Sequence, residues 1–492
     1  MTLEIFNQLH AQGFNRIPVE REVLVDTETP LSIYLKLGRG RHSYFFESIS
    51  GGEKWGRYSI IGLPCKTVLR VVGNNITVEE DGAVVEAVTM DDPFDFIEEY
   101  KSRYKVAERQ GRDRFSGGLV GYFSYDSMRY VEKSVGPSTA EDELETPEIL
   151  LMVSEEYVAF DNLTGTIHFV INVDPEIPQA YEKAQLRLDE LETRLGDKLL
   201  LPPLTPGKGV HESDFVSQFS QAGYEAAVNK IKDYIVAGDV MQVVLAQRMS
   251  VPFEGDPMNV YRALRYLNPS PYMVYFDMGD HHVVSASPEI LARVEDGNIT
   301  VRPLAGTRRR GATDKEDKEL EQELLADTKE LAEHLMLIDL SRNDAGRVSQ
   351  IGSVEVVKKM FVERYSHVMH IASIVEGKIR DDKSALDVLK STLPVGTLSG
   401  APKVRAMQII DELETVKRGI YGGAMGYIAW NNNLDMAIAI RTAVIKNNTL
   451  YVQAGAGVVA DSDPTAEWEE TLNKAKAIIR AVQLSDKGLS LK

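Results

Sequence analysis

The pattern of apolar and polar positions changes near the middle of the chain. Up to about residue 200, short apolar or alternating runs bounded by turn residues predict mainly strands. The clearest of these runs are Tyr44 to Ser48, Tyr58 to Ile61, Thr67 to Val72, Glu156 to Phe160 and Thr166 to Val173. Segment 201–214 is rich in Pro and Gly, as is typical of a connection. We therefore divide the chain into an N-terminal subdomain, 1–200, the connection, 201–214, and a C-terminal region, 215–492.

In the C-terminal region, predicted strands alternate with long predicted helices. The predicted strands include Met241 to Arg248, Val283 to Ser287, Leu450 to Ala454, and two strands of a hairpin around Asn431–Asn433 within Gly423 to Ile445. The predicted helices are Tyr224 to Ala237, Asp327 to Leu340 with Leu331, Leu335 and Ile338 on its apolar face, one with Pro402 as its first residue, and a last helix capped by Asp463.

Composition and charge exclude several classes of protein. The 492 residues carry 74 Asp+Glu against 55 Lys+Arg, a formal net charge of −19. Such a surface repels nucleic-acid phosphates and anionic membranes, so we expect neither as a partner. Cys65 is the one cysteine, which excludes an internal disulfide and fits a reducing compartment. The sequence shows neither a signal-peptide pattern nor the roughly 18 apolar residues of a spanning helix, so we expect a cytoplasmic protein.

Two of the predicted helices carry carboxylates beside their apolar faces. Glu330 and Glu333 share one face, and Glu467, Glu470 and Lys474 follow one line on the last helix. If the two faces oppose each other across a cleft, four carboxylates repel unless a cation joins them, and an all-oxygen ligand set favours Mg²⁺. Spacing alone favours two solvated helix faces.

Three further features are candidates for binding or proton transfer. Arg441 has small alanines as neighbours on its predicted strand face, which leaves room for a carboxylate; the alternative is a pair with a nearby Asp or Glu. Gly455-Ala456-Gly457, predicted between a strand and a helix, would let backbone N–H groups reach an anion, although ordinary tight turns have the same composition. Glu289 follows a strand and a proline, where burial would raise its pKa and make it a proton donor; a glutamate in a first helical turn looks the same.

Eight strings, in order along the C-terminal region, resemble the chorismate-utilising enzymes. They are RPLAGTRRRG (302–311), DTKELAEHLMLIDLSRND (327–344), MHIASIVEG (369–377), PVGTLSGAPK (394–403), YGGAMGYI (421–428), AIRT (439–442), AGAGVVADSDP (454–464) and EWEETLNKAKA (467–477). Within this family, FFESISGGEKWGRYSIIG (45–62) and NPSPYM (268–273) are similar to the inhibitor-binding segments of anthranilate synthase large subunits.

The resemblance implies a fold, a cofactor and a set of site residues. The fold is α+β, with large antiparallel sheets packed as a sandwich and helices outside. Glu333 and Glu470 would ligate Mg²⁺, with Glu330 and Glu467 beside or behind them. The residues implied for chorismate binding are Gly306, Thr307, Tyr421, Arg441, Gly455, Ala456, Gly457 and Lys474. The residues implied for catalysis are Glu289, which would protonate the departing ring hydroxyl, His370, which would assist the loss of pyruvate, Thr397, and Gln242.

Two positions indicate the nucleophile and the product. Water-adding members of the family carry a basic Lys where this chain has Gln242; a neutral Gln cannot deprotonate water, whereas ammonia is already a nucleophile. Aminodeoxychorismate synthases have a nucleophilic Lys where this chain has Ala305, which cannot form a covalent bond to the ring. The resemblance therefore implies amination of chorismate and loss of pyruvate to give anthranilate, the first step of tryptophan biosynthesis.

The resemblance also implies a partner and an inhibitor. Cys65 lies outside any nucleophile-elbow context, so use of glutamine requires a separate amidotransferase subunit, in a heterodimer or heterotetramer. Feedback inhibition by tryptophan is implied, with the NPSPYM segment as a core-lining turn without a ligand as the alternative. The residues implied for tryptophan are Glu47, Ser48, Arg57, Pro271, Tyr272, Met273 and Tyr427.

Two other functions remain open from the sequence. One is an ammonia-using enzyme that stops at aminodeoxyisochorismate, or that supplies anthranilate to secondary metabolism. The other is a non-catalytic, tryptophan-sensing protein on the same scaffold, which would keep the inhibitor segments but lose the metal carboxylates. The presence of both Glu333 and Glu470 disfavours the second.

Overall fold

The computed structural model describes residues 1–49, 56–107, 114–204, 209–365 and 368–491. Its strands are β1 (Ile17–Leu24), β2 (Ser43–Glu47), β3 (Tyr58–Gly62), β4 (Thr67–Val72), β5 (Asn75–Glu80), β6 (Ala83–Thr89), β7 (Gly118–Phe123), β8 (Ile149–Ser154), β9 (Glu156–Asp161), β10 (Thr166–Val173), β11 (Val216–Ser217), β12 (Gln242–Pro252), β13 (Tyr272–Asp277), β14 (His281–Ser287), β15 (Ile290–Glu295), β16 (Asn298–Val301), β17 (Leu304–Arg309), β18 (Glu355–Arg364), β19 (Val368–Lys378), β20 (Gly400–Ala401), β21 (Ala424–Ala429), β22 (Leu434–Ile438), β23 (Thr442–Lys446) and β24 (Thr449–Val458). Its α-helices are α1 (Leu3–Ala11), α2 (Pro30–Ile33), α3 (Pro93–Ser102), α4 (Met128–Val131), α5 (Ala180–Leu195), α6 (Gln221–Val236), α7 (Pro257–Leu267), α8 (Asp314–Ala326), α9 (Thr328–Gly346), α10 (Ala385–Thr392), α11 (Lys403–Leu413) and α12 (Pro464–Asp486).

The described strands form two large antiparallel sheets. Sheet I has the order β1-β10-β9-β3-β2-β13-β14-β23-β24-β12-β11, with β20 also paired to β12. Sheet II has the order β17-β19-β16-β15-β22-β21-β7-β8-β4-β5-β6, with β18 also paired to β19. Strands from both halves of the sequence contribute to each sheet, and the halves join where β2 pairs with β13 and where β7 pairs with β21. Segment 201–214 therefore connects two halves of one pair of sheets.

The two sheets pack face to face with helices on their outer faces. The core between the sheets contains side chains of both, including Tyr44 and Phe276 from sheet I and Tyr122 and Met425 from sheet II. Helices α5, α7 and α12 cover the outer face of sheet I, and α3 and α10 cover that of sheet II. The expected α+β sandwich with helices outside is confirmed. Among the described helices, none combines the length and the apolar character needed to cross a bilayer.

Two helices that border the candidate site differ in how well their sequences predicted them. Helix α12 begins after Asp463, whose side chain accepts a hydrogen bond from the Ala466 amide, as expected of an N-cap. Helix α9 turns its polar His334 and Ser341 inward together with Leu337 and Ile338. Leu335 is 44% exposed, so its expected place on the buried face was wrong. A second expectation was also wrong: Pro402 is the N-cap of α11, and the first residue of that helix is Lys403.

The chain crosses between the sheets twice at neighbouring points. It leaves β14 of sheet I for β15 of sheet II through Pro288 and Glu289, and it leaves β22 of sheet II for β23 of sheet I through residues 439–441. The crossings bond to each other: the Ile438 amide donates to the Glu289 carbonyl at 3.0 Å, and the Ala286 amide donates to the Arg441 carbonyl at 3.1 Å.

The second crossing corrects two sequence-based expectations. Segment Gly423 to Ile445 forms three strands, β21 to β23, instead of a two-stranded hairpin. Arg441 is not on a strand face between alanines; it lies between strands and has a left-handed φ of 50°. The conformation turns the chain from one sheet into the other, which a run of alternating small residues does not reveal.

Candidate active site

A cavity of about 650 Å³ lies beside these crossings, bordered by helices α9 and α12. It brings together side chains and backbone of β12, β17, β19, β24, α9 and α12, and of the connections between other elements of the C-terminal region. The sequence-predicted site residues that line it are Gln242, Glu289, Gly306, Thr307, Glu330, Glu333, His370, Thr397, Tyr421, Arg441, Gly455, Gly457, Glu467, Glu470 and Lys474. The described ranges thus place the candidate metal, substrate and catalytic residues around one space.

Glu289 lies at the first crossing and is 6% exposed. The Thr397 hydroxyl donates to its Oε1 at 3.2 Å. Burial raises the pKa of Glu289 to about 7, against the opposing effects of the Thr397 hydrogen bond and of the positive charges of Arg302 and Lys474. A carboxyl group with this pKa carries a proton at and below neutral pH, so it can act as a general acid toward a group in the cavity.

His370 lies on β19, with its ring held by β17. Its Nδ1 lies 2.8 Å from the Gly306 carbonyl and 3.1 Å from the Thr307 hydroxyl. Burial lowers the pKa of His370, the Gly306 hydrogen bond opposes that shift, and the Arg441 charge adds to it. A lowered pKa favours the neutral ring. Its Nδ1–H then donates to the Gly306 carbonyl, and Nε2 is left as an acceptor.

Four carboxylates from α9 and α12 line the cavity. The pKa of Glu333 is raised by burial and then by the charges of Glu330 and Glu470. The pKa of Glu467 is likewise raised by burial, and the charge of Glu470 adds to the shift while a Ser462 hydrogen bond opposes it. Carboxylates held close together repel one another when all are ionised, and a bound cation would relieve that repulsion.

The donor set fits a hard cation that also takes oxygens from outside the protein. In the described part of the chain, no three His, Cys, Asp or Glu side chains form a group able to hold a metal ion. Glu470 is also 2.7 Å from the Lys474 ammonium. Mg²⁺ is typically bound by one or two carboxylates plus water and substrate oxygens, so such a site is compatible with Glu333 and Glu470 as its protein ligands.

The opposite side of the cavity is suited to an anion. Arg441 is half-buried, and burial lowers the pKa of its guanidinium. It has no ion pair within the described residues, so the alternative of a structural pair with a nearby Asp or Glu is not observed there. The neighbouring Tyr421 hydroxyl interacts with the Gly455 amide, and Lys474 donates to the Gly455 carbonyl at 2.9 Å.

Gly455, Ala456 and Gly457 form part of a strand, so the expected turn between a strand and a helix was wrong. They lie in β24 opposite Ala246, Leu245 and Val244 of β12. The register of β24 with β23 ends at Val452, so the backbone of Gly455 is open toward Tyr421 and Lys474. Ala456 does not line the cavity and is fully buried, because alternate residues of a strand face opposite ways.

A family model described as chorismate binding enzyme matches residues 61–480. The chain belongs to this family. It is 57% identical to anthranilate synthase component 1 of Pseudomonas aeruginosa, over 99% of this chain and 100% of that protein. The crystal structure of anthranilate synthase component I from Streptococcus pneumoniae superposes with a TM-score of 0.75 at 37% identity, over 93% of this chain and 99% of that chain. The menaquinone-specific isochorismate synthase of Escherichia coli shares the fold, with a TM-score of 0.70 at 19% identity over 98% of each chain.

In this chorismate-binding enzyme, the sequence did not point to a buried ion pair beneath the cavity. Arg418 Nη2 donates to Glu414 at 2.6 Å and to the Val244 carbonyl at 2.7 Å, while its Nη1 donates to the Leu398 carbonyl at 2.5 Å. Its guanidinium also lies 5.8 Å from the Tyr421 ring centroid. The pair thus ties together three residues that line the cavity. A four-residue spacing between opposite charges is typical of a pair on a solvated helix, but α11 ends before Glu414.

The residues predicted to bind tryptophan lie on or beside strands of sheet I, except Tyr427, which is in β21 of sheet II. Glu47 and Met273 are opposite each other on β2 and β13, and the Glu47 carboxylate accepts hydrogen bonds from Tyr261 at 2.8 Å and Arg265 at 2.5 Å. Arg57 pairs with Asp161 at 2.8 Å.

The other members of this set lie toward the core between the sheets. The Tyr272 hydroxyl donates to Asp435 of sheet II at 2.8 Å, and the Tyr427 ring is 6.4 Å from that of Phe46. Ser48 and Pro271 are half-buried at the ends of β2 and β13. Residues 50–55, within the predicted inhibitor segment, lie outside the described residues, and the tryptophan site stays a prediction.

Proposed function

We propose that this protein is the large subunit of an anthranilate synthase, which aminates chorismate with ammonia in a Mg²⁺-dependent reaction and eliminates pyruvate. The observation that carries the proposal is the composition of one cavity. An Arg441 without an ion pair in the described residues, a buried Glu289 with a pKa near neutrality and four carboxylates from two helices line the same space. The relatives named anthranilate synthase component 1 support the same activity.

The side chains divide the first step between charge and proton transfer. Glu333 and Glu470 would hold Mg²⁺, which when bound would neutralise a carboxylate of the substrate. Arg441 would receive a second carboxylate through two parallel N–H···O bonds. As ammonia adds to the ring carbon beside the one that bears the carboxylate, Glu289 donates its proton to the departing ring hydroxyl, which leaves as water.

The second step makes the ring aromatic. The neutral His370 ring has Nε2 available, because Nδ1 is engaged with the Gly306 carbonyl. It would accept the ring proton while the ether C–O bond breaks and the enolpyruvyl group leaves as pyruvate. Gln242, being neutral, leaves water without a base at that position, which favours ammonia over water as the nucleophile.

The proposal includes a partner, an inhibitor and a cellular location. The relatives are called component 1, which supports a second component, here a glutamine amidotransferase in a heterodimer or heterotetramer, in the cytoplasm. Tryptophan would inhibit by binding near Ser48 and Met273. Inhibition curves of Ser48→Phe and the parent test this, because equal tryptophan sensitivity would remove Ser48 from the site.

The isolated chain tests the activity directly. With chorismate, Mg²⁺ and an ammonium salt, it should release anthranilate and pyruvate in equal amounts, measured by fluorescence and by a coupled assay. Mass spectrometry of the products separates the alternatives. Accumulation of an aminated intermediate without pyruvate, or formation of isochorismate, would contradict the proposal.

A further inference from the structure

The carboxylate of Glu363 bridges two side chains that lie outside the active-site cavity. Glu363 is on β18, directly opposite His370 of β19, and its side chain is 25% exposed. Its Oε1 accepts a hydrogen bond from Arg302 Nη1 at 2.9 Å, and its Oε2 accepts one from the Tyr365 hydroxyl at 3.2 Å. Because each oxygen has its own donor, the carboxylate holds both partners in one arrangement.

The Arg302 side of this bridge reaches the first crossing between the sheets. Arg302 is 5% exposed, and its Nη2 donates to the carbonyl of Pro288, the residue before Glu289, at 3.4 Å. Burial raises the pKa of Glu289, and the positive charge of Arg302 acts against that shift. The negative charge of Glu363 offsets part of the Arg302 charge. Glu363 therefore fixes the guanidinium beside the crossing and limits its effect on the Glu289 carboxyl group.

The Tyr365 side of the bridge reaches His370. The two rings meet edge to face, with their centroids 5.6 Å apart and their planes at 67°. Burial raises the pKa of Tyr365, the Arg302 charge opposes that shift, and the Glu363 charge adds to it. The hydroxyl therefore keeps its proton and donates it to Glu363. Since the Gly306 carbonyl holds His370 at Nδ1, the Tyr365 ring is a second restraint on the imidazole.

We propose that Glu363 is a positioning residue for both chemical steps, because one of its oxygens fixes Arg302 beside Glu289 and the other fixes Tyr365 against His370. This inference rests on the proposed function, in which Glu289 gives a proton and His370 accepts one. Glu363 does not line the cavity, so it acts through its two donors and not by touching the substrate. One carboxylate thus restrains the surroundings of both the acid and the base.

The charged groups around Glu289 come from several elements. Its positive neighbours are Arg302 and Lys474 of α12, both of which act to lower its pKa against the larger effect of burial. Asp344 of α9 lines a small cavity that Glu289 also lines, and it pairs with Lys403 of α11 at 3.1 Å. The carboxylates of α9 and α12 line the active-site cavity. Of these groups, Arg302 is the one that the β18 carboxylate binds, so a change at that carboxylate reaches Glu289 through Arg302.

Glu363→Gln tests the Arg302 side, because it keeps the size of the side chain and removes its charge. The Arg302 charge then acts on Glu289 without that offset, so the alkaline limb of kcat/KM should move to lower pH by about half a unit or more. The KM for chorismate should stay within about twofold, because the cavity lining is unchanged. Glu355→Gln is the matched control: Glu355 is exposed at the other end of β18, and its variant should match the parent.

Tyr365→Phe tests the His370 side. It keeps the ring against the imidazole and removes the hydroxyl that anchors the ring to Glu363. The pair between Glu363 and Arg302 remains, so the alkaline limb should stay at the pH of the parent. The kcat for anthranilate should fall about two- to tenfold, and the aminated intermediate should accumulate relative to anthranilate in quenched samples analysed by mass spectrometry.

The outcomes separate the inference from the function on which it rests. If the parent forms no aminated product from chorismate and ammonium salts, the proposed function fails and the inference fails with it. If the parent is active but Glu363→Gln leaves the alkaline limb in place, or Tyr365→Phe leaves the ratio of products unchanged, only the positioning role is overturned. A loss of activity that follows the folded fraction alone also overturns it. Should Glu363→Gln fold poorly, Tyr365→Phe still decides, because it leaves the ion pair with Arg302 intact.

Discussion

The hydroxyl of Thr397 donates a hydrogen bond to the carboxyl of Glu289 at 3.2 Å, and it opposes the effect of burial on that group. Burial disfavours the carboxylate form and raises the pKa, whereas the hydrogen bond favours the carboxylate. The balance leaves the pKa of Glu289 at about 7. The Thr397 hydrogen bond therefore contributes to setting the pH at which Glu289, the proposed proton donor, loses its proton.

Thr397→Val should move the alkaline limb of the pH–rate profile. The acid is active when protonated, so kcat/KM of the parent should fall as pH rises through about 7. Without the hydroxyl, the carboxylate loses a stabilising bond, and the pKa rises further. The limb should shift to higher pH, as measured from kcat/KM between about pH 5 and 9. A shift to lower pH would contradict the assignment of that limb to Glu289.

Glu289→Gln should remove the proton donor without changing the shape of the site. We expect kcat to fall about 10²- to 10⁴-fold and the alkaline limb to disappear. The same substitution should increase the free energy of unfolding, although it lowers activity. Because the folded pKa is raised, the folded parent binds the proton more tightly than the unfolded chain, and its stability falls as pH rises from about 4.5 to 7. The variant lacks this loss and should gain about 2–3 kcal/mol relative to the parent between about pH 5 and 8 in denaturant titrations.

Arg441→Lys should weaken chorismate binding although the charge is kept. A lysine offers a single ammonium in place of the planar fork that matches a carboxylate, so kcat/KM should fall about 10- to 100-fold. Arg441 has no ion pair within the described ranges, so its free energy of unfolding should change little. A large loss of stability with an unchanged KM would instead indicate a structural role at the crossing.

Glu470→Gln should weaken activation by Mg²⁺, and Glu469→Gln is its matched control. Glu470 lines the cavity, whereas its exposed neighbour Glu469 does not. A chelator should abolish activity of the parent, and the Mg²⁺ concentration for half-maximal rate should rise about tenfold or more for Glu470→Gln alone. Bound Mg²⁺ should also raise the melting temperature of the parent, a shift that Glu470→Gln should lose and Glu469→Gln should keep.

The Arg418–Glu414 pair should be costly to break from one side. Either Arg418→Met or Glu414→Gln leaves a buried polar or charged partner without compensation, which should cost about 3–5 kcal/mol in unfolding free energy. The double variant should lose much less than the sum of the two. Additive losses would show that the two side chains act independently.

Features set by local chemistry were predictable from the sequence, and features set by the pairing of distant strands were not. Asp463 and the carboxylate line of α12 follow from capping and helical spacing alone. Arg441 could not be placed, because only the crossing between two sheets imposes its left-handed backbone. The small residues at Gly455 and Gly457 suggested a turn, but the pairing of β24 with β12 extends the strand through them. Leu335 was misplaced because polar His334 and Ser341 occupy the inner face of α9.

The pairings of β2 with β13 and of β7 with β21 make the N-terminal and C-terminal halves of the chain depend on each other for folding. A fragment carrying only the C-terminal half would expose the edges of β13 and β21, which are rows of backbone donors and acceptors without partners. Such a fragment should aggregate when produced alone and regain solubility when the N-terminal fragment is supplied as a separate polypeptide. The chain would tolerate a cut in its connection far better than the loss of either piece.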